Sequence, residues 1–148
     1  MEKSATVTAA PFEYDDPALW RLVPGVVREM AEYIGRRAAV ALCLALGGEN
    51  FSIPVHENAN ANGAKNFQRL VEAIGRDATR QLCAAYGGVR LSVPKMSAVH
   101  QAVRCRSIER FVASKVAAGA SQRAAINEAA RAFNMTSRAV EKSLERVV

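Results

Sequence analysis

The chain is poor in the residues that usually carry chemistry. It has one tryptophan, two histidines and three cysteines in 148 residues, and aromatic side chains make up only 6% of the total. Three cysteines are an odd number, and Cys43, Cys83 and Cys105 lack the paired spacing of a zinc site, so neither a disulfide framework nor a structural metal is expected. This usage suits a reducing, cytoplasmic setting. His56 and His100 have no carboxylate or second histidine at ligand spacing, which argues against a metal. No Ser/His/Asp set or carboxylate pair can be assembled, and the Gly-Gly pairs precede strands, whereas a phosphate loop follows a strand and opens a helix. The chain is therefore read as a non-enzyme without a cofactor. It contains no run of 18 uncharged apolar residues, and its first residues, MEKSATVTAAPFEYDDP, have no apolar h-region. Neither a membrane span nor a secretory signal is expected.

What the chain does have is a repeat. Residues 34–54, IGRRAAVALCLALGGENFSIP, and residues 74–94, IGRDATRQLCAAYGGVRLSVP, agree at eleven of 21 positions at an offset of forty. The shared positions include Gly35/Gly75, Leu42/Leu82, Cys43/Cys83, both Gly-Gly pairs and Pro54/Pro94. A fixed period is the signature of repeated architecture. Half of the residues are apolar and alanine is abundant, as in a globular, helix-rich chain.

Charge divides the chain a second way. Residues 1–94 carry ten Lys/Arg against ten Asp/Glu, and residues 95–148 carry ten against four, which is the whole net charge of +6. A surplus confined to one segment points to an anionic partner for it, although a solvated basic helix surface would look the same.

Pattern reading gives the following plan. Residues 1–16 read as a flexible arm. Asp15-Asp16-Pro17 starts a helix, with a carboxylate cap and proline at the first position. Pro24 breaks it, and a helix with Val26, Val27, Met30 and Ile34 on its apolar side follows. Arg36–Leu46 is helical with Ala39, Leu42, Cys43 and Leu46 on one stripe, stopped by Gly47-Gly48. Glu49–Ile53 alternates as a strand and Pro54 closes it. His56–Asn66 reads as a linker. The second copy repeats the plan, with helices near Phe67–Ala73 and over Arg76–Tyr86 and a strand over Val89–Val93. The copies are thus 26–55 and 66–95. A lone short strand is unstable, so Phe51 and Ile53 are expected to pair with Leu91 and Val93.

In the C-terminal third, Ser97 opens a helix to about Val116, with Ile108, Phe111, Val112 and Val116 inward. Gly119 ends it and Ser121 caps the next helix, Gln122–Phe133. The run INEAARAFNMTSRAVEKSLERV then has helix-turn-helix spacing: small Ala130 at the crossing, Asn134 at the turn, Val140 six residues beyond. Thr136 or Ser137 caps the last helix, whose inner face is Val140, Leu144 and Val147. Its outer face is Ser137, Arg138, Glu141, Lys142 and Glu145. The N-terminal side chains of such a helix face the DNA major groove, so Thr136, Ser137, Arg138, Glu141 and Lys142 are the candidate contacts. Arg138 could read a guanine edge, and Lys142 a base or a phosphate. The two glutamates would repel phosphates unless they accept from cytosine or meet a polymerase.

The fold class expected is mainly α with two short β-strands: a duplicated helix–helix–strand platform over 17–95, then a three-helix, helix-turn-helix domain over 97–148. The run IG-R-x-A-x(3)-LC-x-A-x-GG, a short strand and proline, followed by EAARAFNMTSRAVEKSLERV, resembles the Mor/C family of phage transcription activators. The resemblance covers residues 67–148, with residues 27–55 as an extra copy of the N-terminal motif. It implies a homodimer that binds an imperfect palindrome in double-stranded DNA near a promoter and recruits host RNA polymerase. It also implies a dimerisation element whose strands pair between subunits and whose polar strand residues touch DNA. On this chain those positions are Arg90 and Ser92, with Lys95 after the proline. The first copy offers only Asn50 and Ser52, followed by Val55, His56 and Glu57. The departure is the duplication, which would let one chain pair its own strands as an intramolecular pseudo-dimer.

Other readings stay open. A protein–protein module, such as an anti-activator or an inhibitor of a host complex, could reuse the same fold. Cys43 and Cys83 read as buried packing. Cys105 lies between Arg104 and Arg106, a setting that would activate an exposed thiol. Trp20 either packs on the first helix or anchors a partner.

Overall fold

The computed structural model describes residues 15–58 and 60–147; residues 1–14, most of the expected arm, lie outside that range. The chain divides into two compact units, Met1–Met96 and Ser97–Val148. It is mainly helical, with one two-stranded antiparallel sheet among the described residues.

In the first unit, Asp16 caps the four-residue helix α1 (Pro17–Trp20), its Oδ1 accepting from the amides of Ala18 and Leu19 at 2.9 and 3.4 Å. Pro24 precedes α2 (Gly25–Ile34), and Gly35 separates α2 from α3 (Arg36–Leu46). Strand β1 (Asn50–Ser52) follows, then α4 (Ala61–Ile74), α5 (Arg76–Tyr86) and β2 (Arg90–Ser92). Helix α2 packs on α3 and α5, and α4 packs on α5 and α3. Val27, Met30, Leu42, Leu70 and Leu82 are fully buried.

The strands pair within the chain, Asn50 opposite Ser92, Phe51 opposite Leu91 and Ser52 opposite Arg90. Phe51, Ile53, Leu91 and Val93 are buried, while Asn50, Ser52, Arg90 and Ser92 are exposed. The bonds bracketing the ribbon recur at the offset of forty. The Gly48 amide donates to the Val93 carbonyl at 2.7 Å and the Gly88 amide to the Ile53 carbonyl at 2.8 Å. Likewise the Val93 amide donates to Glu49 and the Ile53 amide to Val89, each at 2.9 Å.

Each Gly-Gly pair makes this closure possible. A Cβ on Gly47 would lie 2.5 Å from the Cys43 carbonyl oxygen and 3.1 Å from that of Pro94; one on Gly87 would lie 2.6 Å from the Cys83 oxygen and 3.0 Å from the Val55 Cα. Gly48 and Gly88 have φ of +92° and +87°, which L side chains adopt only at a cost.

The structure corrects several sequence expectations. The linker is largely helical, since α4 begins at Ala61. Asn60 and Asn66, read as loop formers, act as a cap and a tether: Asn60 Oδ1 accepts from the Gly63 amide at 2.7 Å, and Asn66 Nδ2 donates to the Ser52 carbonyl at 3.0 Å. Val26 is half-turned to solvent, because α2 buries the Val27, Met30 and Ile34 side instead. On α3 the expected stripe Ala39, Leu42, Cys43 and Leu46 is buried, and burial extends beyond it to Ala38, Val40 and Ala41. The strands are shorter than expected, and Val89 is exposed.

The second unit contains α6 (Ser97–Ala117), α7 (Gln122–Ala132) and α8 (Ser137–Glu145). Its core is Ile108, Val112, Ala125, Ile126, Ala129, Ala130 and Val140, with Phe111, Phe133, Met135 and Leu144 at the margin. Phe111 and Phe133 meet edge to face, centroids 5.7 Å apart. Val116, expected inward, is exposed near the end of α6.

Gly47→Ala and Gly87→Ala are each expected to destabilise the first unit by about 2–3 kcal/mol, since the added methyl meets backbone that cannot swing away. Gly35→Ala, with nothing within 4 Å but φ of +88°, should cost only about 1–2 kcal/mol. Urea unfolding followed by Trp20 fluorescence, which reports on this unit alone, measures the difference.

Candidate nucleic-acid interface

The turn between α7 and α8 is built from local bonds. Asn134 has φ of +57°, which asparagine tolerates better than most residues. The amides of Phe133 and Met135 donate to the Ala129 and Ala130 carbonyls at 2.9 and 2.8 Å, closing the end of α7. From α6, Arg104 donates to the Phe133 carbonyl at 3.0 Å and lies over the Phe133 ring. Thr136, not Ser137, caps α8, its Oγ1 accepting from the Ala139 amide at 3.1 Å.

This geometry sorts the five expected recognition residues. Arg138 and Lys142 are exposed, one turn apart, and neither has an ion-pair partner among the described residues. Thr136 is exposed but its oxygen is occupied by the cap. Ser137 is half-buried and its hydroxyl donates to Asn127 Oδ1 at 2.8 Å, so it braces α8 against α7. Glu141 is held by Arg123 at 3.2 Å, which offsets its repulsion of an anion. Glu145 remains exposed on the same face.

Sequence reasoning missed the contribution of α7. Arg123, Asn127 and Arg131 stand at i, i+4 and i+8, one helical stripe. Two of the three reach α8, Arg123 through Glu141 and Asn127 through Ser137, and Arg131 is exposed. Together the two stripes present Arg123, Arg131, Arg138 and Lys142 against Glu141 and Glu145. The spacing was visible in the sequence; which face of α7 would adjoin α8 was not.

The other expected contacts belong to the first unit. Arg90 and Ser92 stand exposed on the outer ribbon face beside Ser52 and Asn50. Lys95 is exposed, and its stem runs over Gly48, the Cε 2.7 Å from where a Cβ would sit. Arg69 of α4 pairs with Glu49 at 3.1 Å and lies over the Phe51 ring, flanking the ribbon.

The cysteines are all buried. Burial pushes the Cys43 thiol up to about 12 and also raises that of Cys83. Buried Cys105 does not fit the reactive-thiol reading. Trp20 is half-buried with the Arg36 guanidinium stacked 4.5 Å from its ring, so its indole face is already engaged. Among the described residues no cluster of three or more metal-ligating side chains occurs, and no helix is long and apolar enough to cross a membrane.

No family model, curated protein or solved structure matches the chain.

Asn134→Gly should leave the turn intact or strengthen it, whereas Asn134→Val should destabilise the α7–α8 pair by about 1–2 kcal/mol. Thr136→Ala should cost about 1 kcal/mol through the lost cap. Hydrogen exchange at the Val140 amide, which donates to Thr136 at 3.1 Å, measures both.

Proposed function

We propose that the protein is a sequence-specific, double-stranded-DNA-binding transcription regulator, an activator of phage or mobile-element genes. The observation that carries this reading is the face of α8. Arg138 and Lys142 project unpaired from a capped helix that follows an αL turn, while the neighbouring carboxylate Glu141 is neutralised by Arg123. Paired cations on the first turns of such a helix suit a major-groove edge and its phosphates. The excess of ten basic over four acidic residues after position 94 adds a sequence-independent attraction.

The reading includes a platform made by duplication. The antiparallel ribbon joins the two copies inside one chain, so the chain acts as its own pseudo-dimer and carries a single helix-turn-helix. A palindromic site then requires two chains, related by a further twofold contact. The ribbon face, with Arg90, Ser92 and Lys95, supplies additional phosphate contacts, and recruitment of RNA polymerase is the activating step. The charge-neutral first unit favours a second reading, a protein–protein module such as an anti-activator.

Mobility shift with a promoter-region DNA library at several salt concentrations separates the two. The wild-type chain should select one site, with affinity falling steeply as salt rises. Arg138→Ala should weaken that site by about 1–3 kcal/mol and relax its sequence preference, and Arg138→Ala/Lys142→Ala should abolish selection. Absence of selection by the wild type would turn the reading to the protein–protein module.

A further inference from the structure

A second surface feature lies in the first unit, between the end of β1 and helix α5. It is an open groove of about 300 Å³. Phe67 and Cys83 form its buried floor, and Val55 and Ala84 its exposed apolar walls. Arg80 and His56 stand exposed on its rim. Glu57 also borders it, but its carboxylate is held by Arg76 at 3.0 Å, whereas Arg80 has no partner among the described residues. The unengaged charge at the mouth is therefore positive.

At the places related by the offset of forty the inner positions are buried, while Leu44 and Lys95, the counterparts of Ala84 and Val55, are exposed. There Val27 takes the position of Phe67, Val40 that of Arg80, Cys43 that of Cys83 and Met96 that of His56, and all four are 0–4% exposed. The two halves thus differ at the rim: Arg80 and His56 are exposed where Val40 and Met96 are buried. Val55, at 60% exposure, is the most exposed large apolar side chain among the described residues. Its Cα lies 3.0 Å from where a Cβ on Gly87 would sit.

We propose that this groove receives a short amphipathic helix from a protein partner, one apolar side chain seated between Val55, Phe67 and Ala84 and an acidic side chain meeting Arg80. Helix-in-groove recognition seats apolar anchors from one helix face in such a slot, and the unpartnered Arg80 on the rim selects an acidic neighbour and so fixes orientation. A pocket of this volume is at the small end of ligand sites, about 300–1,000 Å³, which suits a single anchor. A nucleic-acid phosphate would meet Arg80 but could not use the apolar floor. The neutral thiol of Cys83, raised by burial, keeps that floor uncharged. The proposal is independent of DNA binding by α8.

The test is selection of a display library of short helical peptides on the full chain, with counter-selection on Ala84→Trp, which fills the slot from its solvent side. Circular dichroism establishes that the variant is folded. Enriched peptides should share an apolar anchor with Glu or Asp three or four residues away. Arg80→Glu should weaken a synthesised winner at least tenfold, and exchanging the peptide's acid for lysine should restore binding to that variant. Arg138→Ala/Lys142→Ala should bind the peptide unchanged, which separates this result from the DNA reading. The proposal is overturned if no enriched peptide is sensitive to Ala84→Trp, if the acidic position is immaterial, or if duplex DNA displaces the peptide.

Discussion

The first unit depends on a reciprocal contact between two glycine turns and two strand ends. Helix α3 ends at Gly47 with the Pro94 carbonyl pressed against it, and α5 ends at Gly87 against Pro54 and Val55. Any side chain at either glycine would intrude on backbone, so the approach exists only because both positions lack a Cβ. That approach sets the register in which Phe51 meets Leu91. Register decides which side chains face the core, since a slip of one residue in either strand would turn its buried Phe51 or Leu91 to solvent and bring that strand's polar neighbours inward. The polar ribbon face is thus a consequence of two glycine pairs.

The second unit solves a different problem, holding a short helix in a fixed orientation against a second helix. Small residues on α7, Ala125, Ala129 and Ala130, allow close packing, and Val140 provides the buried contact on α8. Polar bonds then fix the orientation: Ser137 to Asn127, Glu141 to Arg123, and Arg104 to the turn carbonyl. The exposed ion pair adds little stability, about 0–1 kcal/mol. Its consequence is electrostatic, because it removes one of the two carboxylates from a face that otherwise presents Arg138 and Lys142.

Much of the fold was legible in the sequence because its punctuation is strong. The Gly-Gly pairs, the two strand-closing prolines, Ser121, Asn134 and Thr136 each carry a local conformational preference that survives folding, and α3, α5 and α6 lie where that punctuation places them. Residues with two uses were misread. Asn60 and Asn66 look like loop formers until a helix start and a strand carbonyl are in reach. Ser137 looks like a free contact until Asn127 is brought beside it, and Val26 and Val116 fit a helical stripe whose edge only tertiary packing defines. The candidate interface was half visible for the same reason. Arg138 and Lys142 follow from helical periodicity, whereas the part played by Arg123 and Asn127 requires knowing which faces of α7 and α8 meet.

The central claim is that one chain closes its own ribbon, the strands of its two repeat copies pairing with each other. The most direct measurement is an isotope-filtered NOE experiment on a mixture of differently labelled chains. Asn50–Ser92 and Ser52–Arg90 are the non-hydrogen-bonded pairs, whose Cα atoms approach to about 4.5 Å. The account predicts strong Hα–Hα contacts for both pairs within a uniformly labelled chain and none between labelled and unlabelled chains. Filtered contacts between chains at those pairs would show that the ribbon is built from two molecules, and would contradict it.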